Sequence, residues 1–155
     1  MSETLPEVEQ PPVRQAALAR RASPADIETA GEWLLPRLAA HYMVSGRVVL
    51  GWLLGTMGSN SQMVVACGDA MGAGHVEPGH LGRPPRVAVD FVLAKNPEEQ
   101  TSEMQAIFRT IGLWAKGMGA EKMTGVDDLT DCDRLDIRVV GKLTKRDVYE
   151  MVFLK

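Results

Sequence analysis

One carboxylate stands inside an apolar run: Asp90, within RVAVDFVLA. A carboxylate so placed ordinarily points to water or pairs with an arginine. Its other use is chemical, since it can take a proton from a group bound beside it. The histidines offer less. His75 and His80 flank a glycine-rich segment, but no HxxxH or CxxC spacing accompanies them. Both therefore read as surface or hydrogen-bonded side chains rather than metal ligands. His41 ends a helical pattern, where a cation suits the helix dipole. Cys67 follows an apolar strand and reads as a buried thiol. Cys132 lies among Asp127, Asp128, Asp131 and Asp133, whose charge raises a thiol pKa and opposes nucleophilic use. Those aspartates lack the spacing and glycine of a calcium loop, so they read as a solvated acidic loop. The segment GDAMGAG lacks the GxGxxG order of a dinucleotide site.

The element that must carry Asp90 is a strand. Val87, Val89, Phe91 and Leu93 alternate with Ala88, Asp90, Val92 and Ala94, which predicts one wholly apolar face and Asp90 on the other. Asn96-Pro97 ends the strand. Ser102 followed by Gln105 predicts a helix N-cap and capping box, with Met104, Ile107, Phe108, Ile111 and Ala115 as the core stripe. Gly117 and Gly119 end that helix, and residues 122–126 begin a second strand. A strand, helix and strand of these lengths predict a parallel βαβ unit.

Upstream, Ser23-Pro24-Ala25-Asp26 is a helix start, with Ile27, Ala30, Leu34 and Leu38 as its stripe. Pro36 is expected to kink or divide this helix. A second helix is predicted from about Gly46 to Met57, carrying Val49, Leu50, Leu53 and Leu54. Residues 62–67 read as a strand and residues 71–77 as its hairpin partner. Residues 79–85 read as a surface loop. Downstream of the βαβ unit, residues 131–140 read as a short helix with Gly141 as its C-cap. The alternating segment from Val148 reads as a closing strand. The predicted order is α, α, β, β, β, α, β, α, β, an α/β fold with a mixed central sheet and helices on both faces.

The chain has 155 residues, enough for one domain with a sizeable core, and 45% of them are hydrophobic. The net charge of −3, without a long basic run, disfavours general nucleic-acid binding. Two cysteines make a disulfide framework unexpected and suit a reducing compartment. The acidic, proline-containing opening does not read as a signal peptide, and the longest apolar run, residues 48–54, is too short to span a bilayer. Residues 1–22 hold Glu3, Glu7, Glu9, Pro11, Pro12, Arg14, Arg20 and Arg21 but few large apolar side chains. They predict an extended tail or partner-binding arm, with a short helix allowed over residues 13–22, and residues 23–155 form the domain.

This order of elements, with the strand RVAVDFVLAKNP entering a loop and long helix, the transition LWAKGMGAEKMT and the closing DCDRLDIRVVGKLTKRDVYEMVFLK, resembles the GNAT (acyl-CoA N-acyltransferase) superfamily. The resemblance covers about residues 24–155, and the texture is similar to that of bacteriophage-encoded members. It implies a GNAT-like fold, acetyl-CoA as cofactor, backbone of Val92, Leu93 and Ala94 along the pantetheine arm, Gln100 and Ser102 at the pyrophosphate, and Asp90 as the base. The chain departs from the family in two places. The family's loop places small residues where this chain has Glu103 and Gln105, and Glu98 and Glu99 add further charge against an anion. The family's acidic tyrosine, four residues before a glycine, corresponds to Ile137, and Tyr149 on the closing strand is a poor substitute. The expectation is a degenerate member, with no cofactor retained, that acts as a binding or structural component of an assembly such as a virion. The alternative is an acetyl-CoA-dependent N-acetyltransferase using Asp90. The expected partner is a protein or a second copy met through the tail, with no nucleic acid and no membrane, in the cytoplasm or within a virion.

Overall fold

A computed structural model describes residues 18–126, 129–130, 141–144 and 148–153. Strand β1 (Arg20–Arg21) leads into helix α1 (Pro24–Tyr42). The predicted start of α1 is present. The Ser23 hydroxyl accepts from the Asp26 amide, and the Asp26 carboxylate accepts from the Ser23 amide at 2.7 Å. Two otherwise orphaned donors are thereby satisfied. Pro36 neither ends nor divides the helix, contrary to expectation. Leu34 and Leu38 are fully buried on either side of it, and two buried leucines offset the roughly 3 kcal/mol of an interior proline. Met43 at φ 56° closes α1 in the left-handed region, and Ser45 then caps α2 (Gly46–Thr56).

The strands are β2 (Gln62–Cys67), β3 (Ala70–Glu77), β4 (Arg86–Ala94), β5 (Lys122–Val126), β6 (Gly141–Thr144) and β7 (Val148–Phe153), with α3 (Thr101–Gly117) between β4 and β5. They form one seven-stranded sheet in the order β1-β2-β3-β4-β5-β7-β6. The β4–β5 pair is parallel, as the βαβ reading predicts, and the other pairs of neighbouring strands are antiparallel. Helix α3 covers one face through Met104, Ile107, Phe108, Ile111 and Ala115. Helices α1 and α2 cover the other through Ile27, Leu34, Leu38, Val49 and Leu53. The result is a mixed α/β fold with three helices among the described residues. None of these helices is long and apolar enough to cross a membrane.

Four further sequence expectations change. Arg20 and Arg21 are not helical but pair with Ala66 and Val65 of β2, and the Ala22 amide donates to the Val64 carbonyl at 2.8 Å. The expected arm over residues 1–22 therefore ends in residues that belong to the sheet. Helix α3 begins at Thr101 with Gln100 at its N-cap, so Ser102 lies inside the first turn and the Ser102–Gln105 capping box does not form. Gly141 is the first residue of β6, a strand the sequence reading lacks, while the predicted helix over 131–140 lies outside the described residues.

The fourth change concerns β4. Ala73 pairs with Phe91 but Gly74 pairs with Val89, so Asp90 is an extra residue, a β-bulge. The bulge switches the faces. Val87, Val89, Val92 and Ala94 join the core under α3, whereas Phe91 and Leu93 join the core under α1 and α2. Simple alternation had put Phe91 and Leu93 with Val89, and it is wrong beyond the bulge.

Candidate functional site

Asp90 owes its position to two local events. The bulge frees it from the ladder, and the left-handed Met43 turn brings the α1–α2 corner across it. The result is a cleft of about 400 Å³ lined by Tyr42, Val44, Val48, Val49, Trp52 and Asp90. Among the described residues, Asp90 is the only carboxylate in that lining. Trp52 packs edge-on against Phe91, with ring centroids 6.4 Å apart, which anchors α2 to the strand beside the bulge.

Behind Asp90 stands His75 of β3. Its Nδ1 lies 3.0 Å and 3.2 Å from the two carboxylate oxygens. The hydrogen bond to Asp90 raises the His75 pKa against an opposing desolvation effect, with added electrostatic help from Asp90 and Glu77. Glu77 is itself held by Arg86 at 2.8 Å. Across the cleft, burial and then the Asp90 charge push the Tyr42 hydroxyl pKa upward, so Tyr42 stays protonated. Asp90 thus joins a solvent-touched imidazole on one side to an apolar cleft on the other. Such a couple can hold a cation or accept a proton. Sequence reasoning found Asp90 and read His75 as a surface or hydrogen-bonded side chain. It missed their pairing, because 15 residues separate them and only the hairpin register brings them together. It also missed Tyr42, which has no signal beyond its place at a helix end.

The residues assigned to a cofactor have other engagements. Val92 is buried under α3 and bridges in parallel to Thr130. Leu93 is buried on the opposite face. The Ala94 carbonyl accepts from Arg37 Nη1 at 3.1 Å, tying α1 to the end of β4. Gln100 is only 7% exposed, and its side-chain oxygen accepts from the Asn96 amide at 2.7 Å. The Ser102 hydroxyl donates to the Glu103 carboxylate at 3.3 Å on the surface. Nearby, Lys95, Asn96, Pro97, Glu98 and Glu99 line a polar hollow of about 300 Å³. Pairing of β4 with β5 stops at Val89 and Gly125, and β4 runs on to Ala94. Val92, Leu93 and Ala94 therefore share a strand with Asp90, but neither they nor Gln100 and Ser102 are among the described residues that line its cleft.

Cys67 is buried, and desolvation followed by Glu103 raises its thiol pKa, which suits packing rather than reaction. Ile137 and Cys132 lie outside the described residues, as do the acidic positions 127, 128, 131 and 133. Tyr149 pairs in the backbone with Gly125. Compared with known proteins, the chain matches no family model and no curated protein.

Proposed function

We propose that this chain is a GNAT-like domain whose acyl-CoA loop is no longer a cofactor site, and that it serves as a binding component of a larger assembly. The observation that carries the reading is Gln100. It is the one loop residue that fits the family pattern, and its amide oxygen is turned inward to close the Asn96–Gln100 turn. That bond fixes the side chain in a turn where it is only 7% exposed, so its amide N–H groups are poorly placed to reach a pyrophosphate outside. Glu98 and Glu99 line the adjoining hollow, and Glu103 occupies the first turn of α3, where an anionic ligand would sit. Two helices ahead of a β-hairpin, and a strand, long helix and parallel strand after it, support the reading of the fold.

The test is calorimetric titration of the full chain with acetyl-CoA and with CoA at two temperatures, beside thermal melting. The expected result is no heat and no stabilisation. Saturable micromolar binding would overturn the reading.

Two observations favour a second reading, an N-acetyltransferase using Asp90 as base. The Asp90–His75 couple faces a cleft of substrate size, and Thr130, buried beside Val92, has a hydroxyl without a partner among the described residues. In that case Asp90→Asn should slow acetyl transfer to an amine without lowering the melting temperature. Equal turnover would reject Asp90 as the base.

A further inference from the structure

The cleft over Asp90 has a composition that none of the preceding roles requires. Among the described residues, two aromatic side chains, Tyr42 and Trp52, and three valines surround one carboxylate. Aromatic faces attract cations through the ring quadrupole, and they favour weakly hydrated ones such as quaternary ammonium groups. A carboxylate at the end of an aromatic and aliphatic cleft supplies the opposite charge at little cost in desolvating the ligand. A strongly hydrated ammonium would lose its water against the valines, whereas a methylated one replaces that contact with apolar burial. The volume of about 400 Å³ admits a small organic cation with room for an apolar body.

We propose that this cleft is a binding site for a quaternary ammonium group, held between Tyr42 and Trp52 with Asp90 as its counter-ion. The proposal rests on the reading of the chain as a binding domain, and it needs no acyl-CoA. A quaternary nitrogen has no proton to lose and is no acceptor in acyl transfer, so the site stands apart from the transferase reading as well. His75 then acts as a competitor. When protonated it neutralises Asp90 from behind, and when neutral it leaves the carboxylate to the ligand. The charged and titratable groups around the imidazole are Asp90 on β4 and Glu77 on its own strand. Glu77 is paired to Arg86, and Tyr42 of α1 feels the same carboxylate. Ligand affinity should therefore rise with pH through the titration of His75.

The experiment is calorimetric titration of the full chain with choline chloride and, in parallel, with its neutral carbon isostere 3,3-dimethylbutan-1-ol. Choline should bind at least about tenfold more tightly than the isostere. Asp90→Asn should shrink that difference to the smaller part the aromatic rings supply, and His75→Asn should keep it while removing the pH dependence. Trp52 packs on Phe91, so Trp52→Leu is judged only beside a melting curve. The isostere comparison on the unaltered protein decides the matter by itself. Equal affinities, or no choline binding at 10 mM (about 2.7 kcal/mol of affinity), would overturn the proposal. A CoA titration that gave heat while choline bound as expected would sink the cofactor-free reading and leave the cation site standing.

Discussion

At the scale of single residues, the His75–Asp90 pair sets a pH dependence with a definite sign. Its hydrogen bond raises the His75 pKa in the folded chain. The stabilisation it gives is fully present below about 6.5, the ordinary histidine value, and is lost as pH rises through the higher folded value. An NMR titration should show the His75 midpoint falling toward the ordinary value in Asp90→Asn, and an unchanged midpoint would deny the pairing. The other conspicuous residue is Asp26. The Arg20 guanidinium holds its carboxyl well below the usual range, with Ser23 helping against desolvation. The stability linked to that carboxyl is present above about 4 and is lost as pH falls toward the depressed folded value. Ser23→Ala removes the cap and should lower stability by about 1 kcal/mol in chemical denaturation. That capping box was legible in the sequence because all its partners lie within four residues. The His75–Asp90 pair was not, because a register shift across a hairpin leaves no local trace.

Among the elements, the glycines separate close packing from free surface. A Cβ on Gly72 would lie 2.5 Å from Ile107 Cγ2 and 3.0 Å from the Phe91 carbonyl oxygen. Gly72→Ala should therefore push α3 from the sheet and destabilise by about 1–3 kcal/mol. On α2, a Cβ at Gly51 or Gly55 would meet none of the described residues within 4 Å. Gly51→Ala should stabilise by up to about 1 kcal/mol through helix propensity, and urea melts of the two variants should move in opposite directions. The helices were readable because their apolar stripes match how they pack, and β2 to β5 because short apolar runs are bounded by turn residues. Three features resisted. The pair Arg20–Arg21 has too few residues for a pattern, and its strand exists because β2 offers an edge. The bulge leaves composition unchanged in a strand that is apolar on both faces. The start of α3 is fixed by the Gln100 side chain closing a turn rather than by a serine cap.

For the whole molecule, the sheet fixes where the amino-terminal arm can be cut. Arg20 and Arg21 add a strand to β2, Arg20 clamps Asp26 at 2.6 Å, and Ala22 bonds to Val64. A truncation that removes residues 1–22 would take part of the domain with the arm. One that stops at residue 17 would spare these contacts. The expected outcome is an unchanged melting temperature for the shorter cut and a lowered one for the longer. If the arm is the means of association, the shorter cut should still abolish the complex by size-exclusion chromatography. An intact complex would move the interface elsewhere on the molecule. The general architecture was within reach of the sequence because strand and helix order follow from local pattern, whereas the cleft depends on a helix corner, a bulge and a hairpin register acting together.

Without Asp90, the strand residues Val87, Val89, Val92 and Ala94 would alternate with Ala88, Phe91 and Leu93 in unbroken order, and all but Ala88 already face the core they now occupy. The bulge is thus equivalent to one codon added to an otherwise regular strand. A chain lacking that codon should fold with a continuous β3–β4 ladder and a higher melting temperature, and with no acid in the cleft. An acid in the cleft and a regular ladder are then alternatives separated by a single-residue change in length, a step that substitution scanning never samples.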